Sequence, residues 1–130
     1  MAKTILMIDD DPDWVQMISM RLQREGYQVE VAFDAVNAVS QTIKLKPNLV
    51  LLDIRMPAGD GLGVLKKLRA NVNAFNIPVI ALTGISDKQT IEATAALGIS
   101  GYFVKPADMD KLIEKIEEVL TDKCVRFTIQ

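Results

Sequence analysis

Residues 4–12 read TILMIDDDP, a short apolar run that stops abruptly at Asp9, Asp10 and Asp11 and is followed by Pro12. The run is too short for a helix and reads as a strand buried on both faces. Asp11 and Pro12 read as the N-cap and first residue of a helix, which Gly26 stops. The same unit recurs downstream. Gln28 to Ala32 alternates and is rich in β-branched residues, predicting a second strand at a sheet edge. Ala35 to Lys46 is helical and Pro47 ends it; Leu49 to Leu52 is a third buried strand, again followed by an aspartate, Asp53. Met56 to Gly61 is turn-rich and leads to a helix over Leu62 to Ala70. Pro78 to Leu82 and Gly101 to Val104 read as strands, and Asp87 to Leu97 and Asp108 to Leu120 as helices, with Asp108 as N-cap and Gly98 closing the former. Five βα units in series predict an α/β fold: a doubly wound five-stranded parallel sheet with five helices on its two faces. Ligands of such sheets bind outside the carboxyl ends of the strands, at the topological switch point.

The chain has 130 residues, about one domain, with 15 Lys+Arg against 17 Asp+Glu and a net charge of -2. This balance argues against a dedicated nucleic-acid binder. With no histidine, the chain offers no Ser-His-Asp or Cys-His catalysis, no His-ligated zinc and no phosphohistidine donor. A single cysteine, Cys124, allows no intrachain disulfide and no Cys-rich zinc site. The longest apolar runs are four residues, so neither a membrane span nor a secretory signal is expected, and a cytoplasmic setting is the default. The tail is ambiguous: Val125, Phe127 and Ile129 alternate like a strand, against the ordinary fraying of a terminus.

The strand ends collect Asp9, Asp10 and Asp11, then Asp53, then Thr83 and Gly84, then Lys105 and Pro106 on one rim. Crowded carboxylates repel one another and favour a cation. An all-oxygen set suits a hard divalent ion such as Mg²⁺. A carboxylate in such a place can be a nucleophile that forms an aspartyl-phosphate, with a lysine and a hydroxyl to meet the phosphoryl oxygens. Taken singly, each residue has a plainer role: Asp11 as a helix cap, Lys105 as a surface lysine, Thr83 as a loop hydroxyl.

Four motifs carry a more specific likeness: Ile8-Asp9-Asp10; Leu52-Asp53-Ile54-Arg55-Met56-Pro57 with Asp60-Gly61; Ala81-Leu82-Thr83-Gly84; and Tyr102-Phe103-Val104-Lys105-Pro106. Their order and their separations of 43, 30 and 22 residues resemble the receiver domain of two-component response regulators over residues 3–121, leaving 122–130 as a tail or the start of a linker. The resemblance implies the strand order 2-1-3-4-5, flavodoxin-like, which a chemotaxis member of that family has. It implies that Asp53 is the phosphoacceptor and that Asp10, Asp53 and the backbone carbonyl of Arg55 ligate Mg²⁺, with Mn²⁺ able to substitute. By the same likeness Asp9 acts through water, Thr83 is the switch hydroxyl, Lys105 contacts the phosphoryl group and the Tyr102 rotamer follows Thr83. Pro106 would follow a cis peptide bond. The implied function is a phosphorylation-activated signalling switch rather than an enzyme. Its donor is a histidine kinase or histidine phosphotransfer protein, and its output is relayed to a protein partner by a monomer or weak dimer.

Arg55 and Ile85 flank the path of attacking water in that family and leave the phosphoryl lifetime open. Ala107 and the Arg-poor last helix depart from DNA-binding relatives, and with no output domain after residue 130 the chain reads as a stand-alone receiver or a fragment. A haloacid-dehalogenase-type phosphatase needs an acid two residues after its nucleophile, where this chain has Arg55. A flavodoxin-like carrier needs a phosphate-binding loop where this chain has three aspartates. No P-loop motif is present. A non-phosphorylated pseudo-receiver scaffold is the remaining alternative.

On the first helix, Val15, Ile18 and Leu22 form a stripe expected to face the sheet. Trp14, Met17 and Met20 form a second stripe turned away from it beside the acidic rim, a candidate docking face for a kinase or phosphotransfer helix bundle.

Overall fold

A computed structural model describes residues 2–56, 61–121 and 128–129. Its elements are β1 (Thr4–Ile8), α1 (Pro12–Arg24), β2 (Gln28–Ala32), α2 (Ala35–Leu45), β3 (Leu49–Leu52), α3 (Gly61–Ala70), β4 (Val79–Thr83), α4 (Lys88–Ala96), β5 (Gly101–Val104), α5 (Met109–Thr121) and β6 (Thr128–Ile129). The helix starts follow from side-chain caps. Asp11 accepts from the backbone N–H groups of Asp13 and Trp14, Asp34 from Asn37 and Asp87 from Thr90. Pro12 opens α1, and Gly26, at φ +96, follows its end in a left-handed conformation that costs glycine little.

The strands are parallel in the order β2-β1-β3-β4-β5-β6. Five of them stand in the expected order, with β2 at an edge. The structure adds β6, in which Thr128 and Ile129 pair with Gly101 and Tyr102 on the outer edge of β5. An extended tail segment satisfies free backbone groups on that edge. The turn residues 57–60, Cys124 and the rest of the tail lie outside the described residues.

Alternation along the strands splits the core in two. Ile5, Met7, Leu49, Leu51, Ile80, Leu82 and Phe103 pack against Val15, Ile18 and Leu22 of α1 and Leu112, Ile113 and Ile116 of α5. Leu6, Ile8, Val50, Leu52, Val79, Ala81 and Tyr102 pack with Ala38, Val64, Leu65 and Leu68 on the opposite face, beneath α2 and α3. The order reverses between β1 and β3, so the residues that follow those strands meet at the switch point. No helix among the described residues is long and apolar enough to cross a membrane.

Candidate functional site

Asp9 and Asp53 follow neighbouring strands and are held by the ladder that precedes them. The Asp53 backbone N–H donates to Ile8 O at 2.8 Å, and that of Asp9 donates to Ala32 O at 3.1 Å. Both residues are nearly inaccessible, at 2% and 6% exposure. Asp9 Oδ1 accepts from the Asp11 backbone N–H at 3.0 Å, and Asp53 Oδ1 from that of Arg55 at 2.9 Å. Their other oxygens face Lys105, whose Nζ lies 2.8 Å from Asp9 Oδ2 and 3.5 Å from Asp53 Oδ2. Burial pushes the Asp9 carboxyl above its ordinary value, although the Lys105 hydrogen bond opposes that shift.

Asp10 is exposed, yet one oxygen from each of Asp9, Asp10 and Asp53 lies within 4.8 Å of the others. Lys105 pairs with two of these three carboxylates, and the donors are all oxygen. That set fits a hard divalent cation and not a thiophilic one.

Gly61 packs against the backbone that carries Asp53. A Cβ there would run into Asp53 O and come within 2.6 Å of Ile54 Cα, while the Gly61 N–H donates to Ile54 O at 2.9 Å. Glycine is needed because α3 begins against the backbone that carries Asp53. The sequence marked Gly61 only as a turn residue; its position shortly after an aspartate that ends a strand was the available signal.

Thr83 is fully buried and joins the set through the main chain, since the Lys105 backbone N–H donates to Thr83 O at 2.8 Å. Its hydroxyl accepts from the Ile85 N–H at 3.4 Å, and Tyr102 OH donates to Ile85 O at 2.8 Å. Ile85 therefore ties the threonine and the tyrosine to one peptide segment, a link that spacing did not reveal. Tyr102 is fully buried. Burial, then the charges of Asp87 and Asp53, push its hydroxyl up to about 12 from 10.0. A raised value favours the neutral folded form, so this contribution to stability is complete below 10.0 and is lost as pH rises through about 12. Tyr102→Phe is expected to cost about 1 kcal/mol at neutral pH. The variant should then lose less stability than the wild type between 10.0 and about 12, a comparison that urea denaturation across that range makes directly.

The Lys105–Pro106 bond is cis. Arg55 is exposed. The second stripe of α1 divides. Met17 and Met20 are 52% and 56% exposed, whereas Trp14 is half-buried with its ring centroid 4.9 Å from Lys105 Nζ.

Comparisons with known proteins identify the family. A family model described as the response regulator receiver domain matches residues 5–117. The DNA-binding dual master transcriptional regulator RpaA of Synechocystis sp. is 32% identical over 116 residues, covering 89% of this chain and 48% of that protein. The chain thus spans about half the length of that curated relative. Among solved structures, the chemotaxis protein CheY4 of Vibrio cholerae matches with a TM-score of 0.84 at 28% identity, over 92% of this chain and 99% of that one. The receiver domain of the sensor histidine kinase PA1611 of Pseudomonas aeruginosa, solved with a magnesium ion in its active-site cleft, matches with a TM-score of 0.86 at 26% identity, over 94% and 100%.

Proposed function

The chain belongs to the response regulator receiver domain family, and on that premise we propose that it is a signalling switch that accepts a phosphoryl group on Asp53. The observation that carries the proposal is the ammonium of Lys105, carried in from the end of β5, lying between the carboxylates that follow β1 and β3. Residues 3–121 form the receiver unit in this reading, and 122–130 a tail or linker.

The donor is the phosphohistidine of a histidine kinase or phosphotransfer protein. An Asp53 carboxylate oxygen attacks phosphorus, the P–N bond breaks, and its electron pair leaves with the imidazole, which takes up a proton. The product is an acyl phosphate, and attack by water at phosphorus later returns the carboxylate and inorganic phosphate. Asp10, Asp53 and the Arg55 carbonyl would hold Mg²⁺, with Asp9 acting through water. The ion would neutralise charge on the phosphoryl oxygens. Lys105 turns from Asp9 to a phosphoryl oxygen, and the Thr83 hydroxyl releases the Ile85 N–H and donates to another phosphoryl oxygen. Movement at Ile85 then reaches Tyr102 and the surface of α4, β5 and α5, where an output protein reads it. Incubation with acetyl phosphate and Mg²⁺ tests this reading: one added phosphoryl group by intact mass supports it, and an unchanged mass supports a pseudo-receiver scaffold instead.

Two further results are expected. Asp10→Ala should raise the urea midpoint of the metal-free protein, because it relieves repulsion among three carboxylates, and should abolish the Trp14 fluorescence response to Mg²⁺. A titration curve unaltered by the substitution would place the ion elsewhere. The exposed Met17 and Met20, with Trp14 beside them, offer an apolar face next to the rim for a phosphodonor helix bundle. Met17→Ala combined with Met20→Ala should slow transfer from a phosphohistidine donor roughly tenfold, the effect of about 1.4 kcal/mol of lost contact, while labelling by acetyl phosphate persists. An equal fall by both routes would make these side chains structural.

A further inference from the structure

We propose that Trp14 is a positioning residue for Lys105: its indole face holds the ammonium at the Asp9–Asp53 rim and thereby sets the rate at which Asp53 accepts a phosphoryl group. The inference rests on the receiver reading above and deepens it.

Lys105 Nζ lies 4.9 Å from the centroid of the Trp14 ring, within the range at which a ring quadrupole attracts a cation. The same nitrogen meets the oxygens of Asp9 and Asp53 at 2.8 and 3.5 Å. The ammonium thus has carboxylates and an aromatic face around it, and its side chain is only 18% exposed. Trp14 is itself held in register with the acids. Its backbone N–H donates to Asp11 Oδ1 at 3.2 Å, and the Asp11 backbone N–H donates to Asp9 Oδ1 at 3.0 Å.

A second observation separates this role from simple packing. Trp14 Nε1 is buried with no hydrogen-bond partner among the described residues. An orphan donor is costly, and a purely apolar side chain would cover the helix start without one. Tryptophan brings the strongest cation-binding face of any side chain, and here that face is in use. Attraction to a ring face is less directional than a hydrogen bond. Lys105 can therefore move from Asp9 toward oxygens arriving on Asp53 while the ring keeps water off one side. A less screened ammonium stabilises the charge that develops in transfer more strongly.

The test compares the wild type with Trp14→Leu and Trp14→Phe. Acetyl phosphate is varied at saturating Mg²⁺, and labelling rates are read by intact mass. Trp14→Leu should lower the rate at saturating donor roughly fivefold, the size of one partly exposed cation–π contact, with little change in the half-saturating concentration. Trp14→Phe, which keeps an aromatic face, should recover most of that rate. Trp14 is the sole tryptophan, so its emission reports the contact directly. Lys105→Met should shift that emission and remove its response to beryllofluoride added with Mg²⁺. Equal rates in wild type and Trp14→Leu, equal losses in the leucine and phenylalanine variants, or wild-type emission and response in Lys105→Met would overturn the positioning role and leave the receiver reading standing. A wild type that takes no label would remove the receiver reading and this inference together.

Discussion

Asp53→Asn is expected to remove phosphoryl labelling completely while leaving the fold intact. The side chain is 7% exposed and each of its oxygens has a neighbour, the Arg55 N–H on Oδ1 and the Lys105 ammonium near Oδ2. Asparagine is nearly isosteric, and its amide oxygen can still accept from Arg55. It replaces an anionic oxygen with an amide, a far weaker nucleophile. It also takes one negative charge from the three-carboxylate cluster, so the urea midpoint should not fall. Intact mass after treatment with acetyl phosphate and Mg²⁺ should show one phosphoryl group on the wild type and none on the variant. Equal labelling of the two would assign the acceptor to another residue and end the proposed mechanism.

The largest expected loss of stability lies at the opposite end of the sheet. The Arg69 guanidinium, at the end of α3, donates from Nε and Nη2 to Gly98 O at 3.0 and 2.8 Å, and from Nη1 to Phe75 O and Ile77 O at 3.1 and 3.0 Å. One side chain thus ties the end of α4 to the segment that enters β4. Burial pushes this guanidinium below its ordinary arginine value, and all four contacts are with carbonyls. Arg69→Ala leaves three carbonyls without their partner and is expected to cost about 3 kcal/mol. Arg69→Lys should recover little, because a single ammonium cannot reproduce the planar fork that reaches three carbonyls at once. Urea denaturation reads both variants, and labelling of Asp53 should continue in whatever fraction stays folded. An Arg69→Lys protein that unfolds at the wild-type midpoint would show that charge alone, not the fork, holds this corner.

Arg69 marks where sequence reasoning stops. Its partners are Phe75 and Ile77, six and eight positions on, and Gly98, 29 positions on, all through backbone carbonyls that carry no residue identity. The roles of Gly61 and Ile85 seen in the structure were not legible for the same reason, since they are a close backbone approach and a shared peptide group. The sixth strand was half visible in the alternation about Ile129, but local alternation does not say whether an edge is free to receive it.

What the sequence determined by itself is whatever local chemistry decides. Apolar runs such as Thr4–Ile8 and Leu49–Leu52 are strands because they are short and continuous, and an aspartate before Pro12 caps a helix because its side chain reaches the free N–H groups. Parallel order and the rim that gathers Asp9, Asp53, Thr83 and Lys105 follow from five such units and the family motifs. Only the tertiary structure decided which of these groups touch. It buried Asp9 and left Asp10 exposed, although the two are adjacent, because the first lies under Lys105 and the second faces solvent. It separated Trp14 from Met17 and Met20, laying the indole on Lys105 and leaving the methionines exposed. Periodicity places side chains on a face of a helix, but contact depends on what a distant segment brings to that face, and here the partner of residue 14 stands at residue 105.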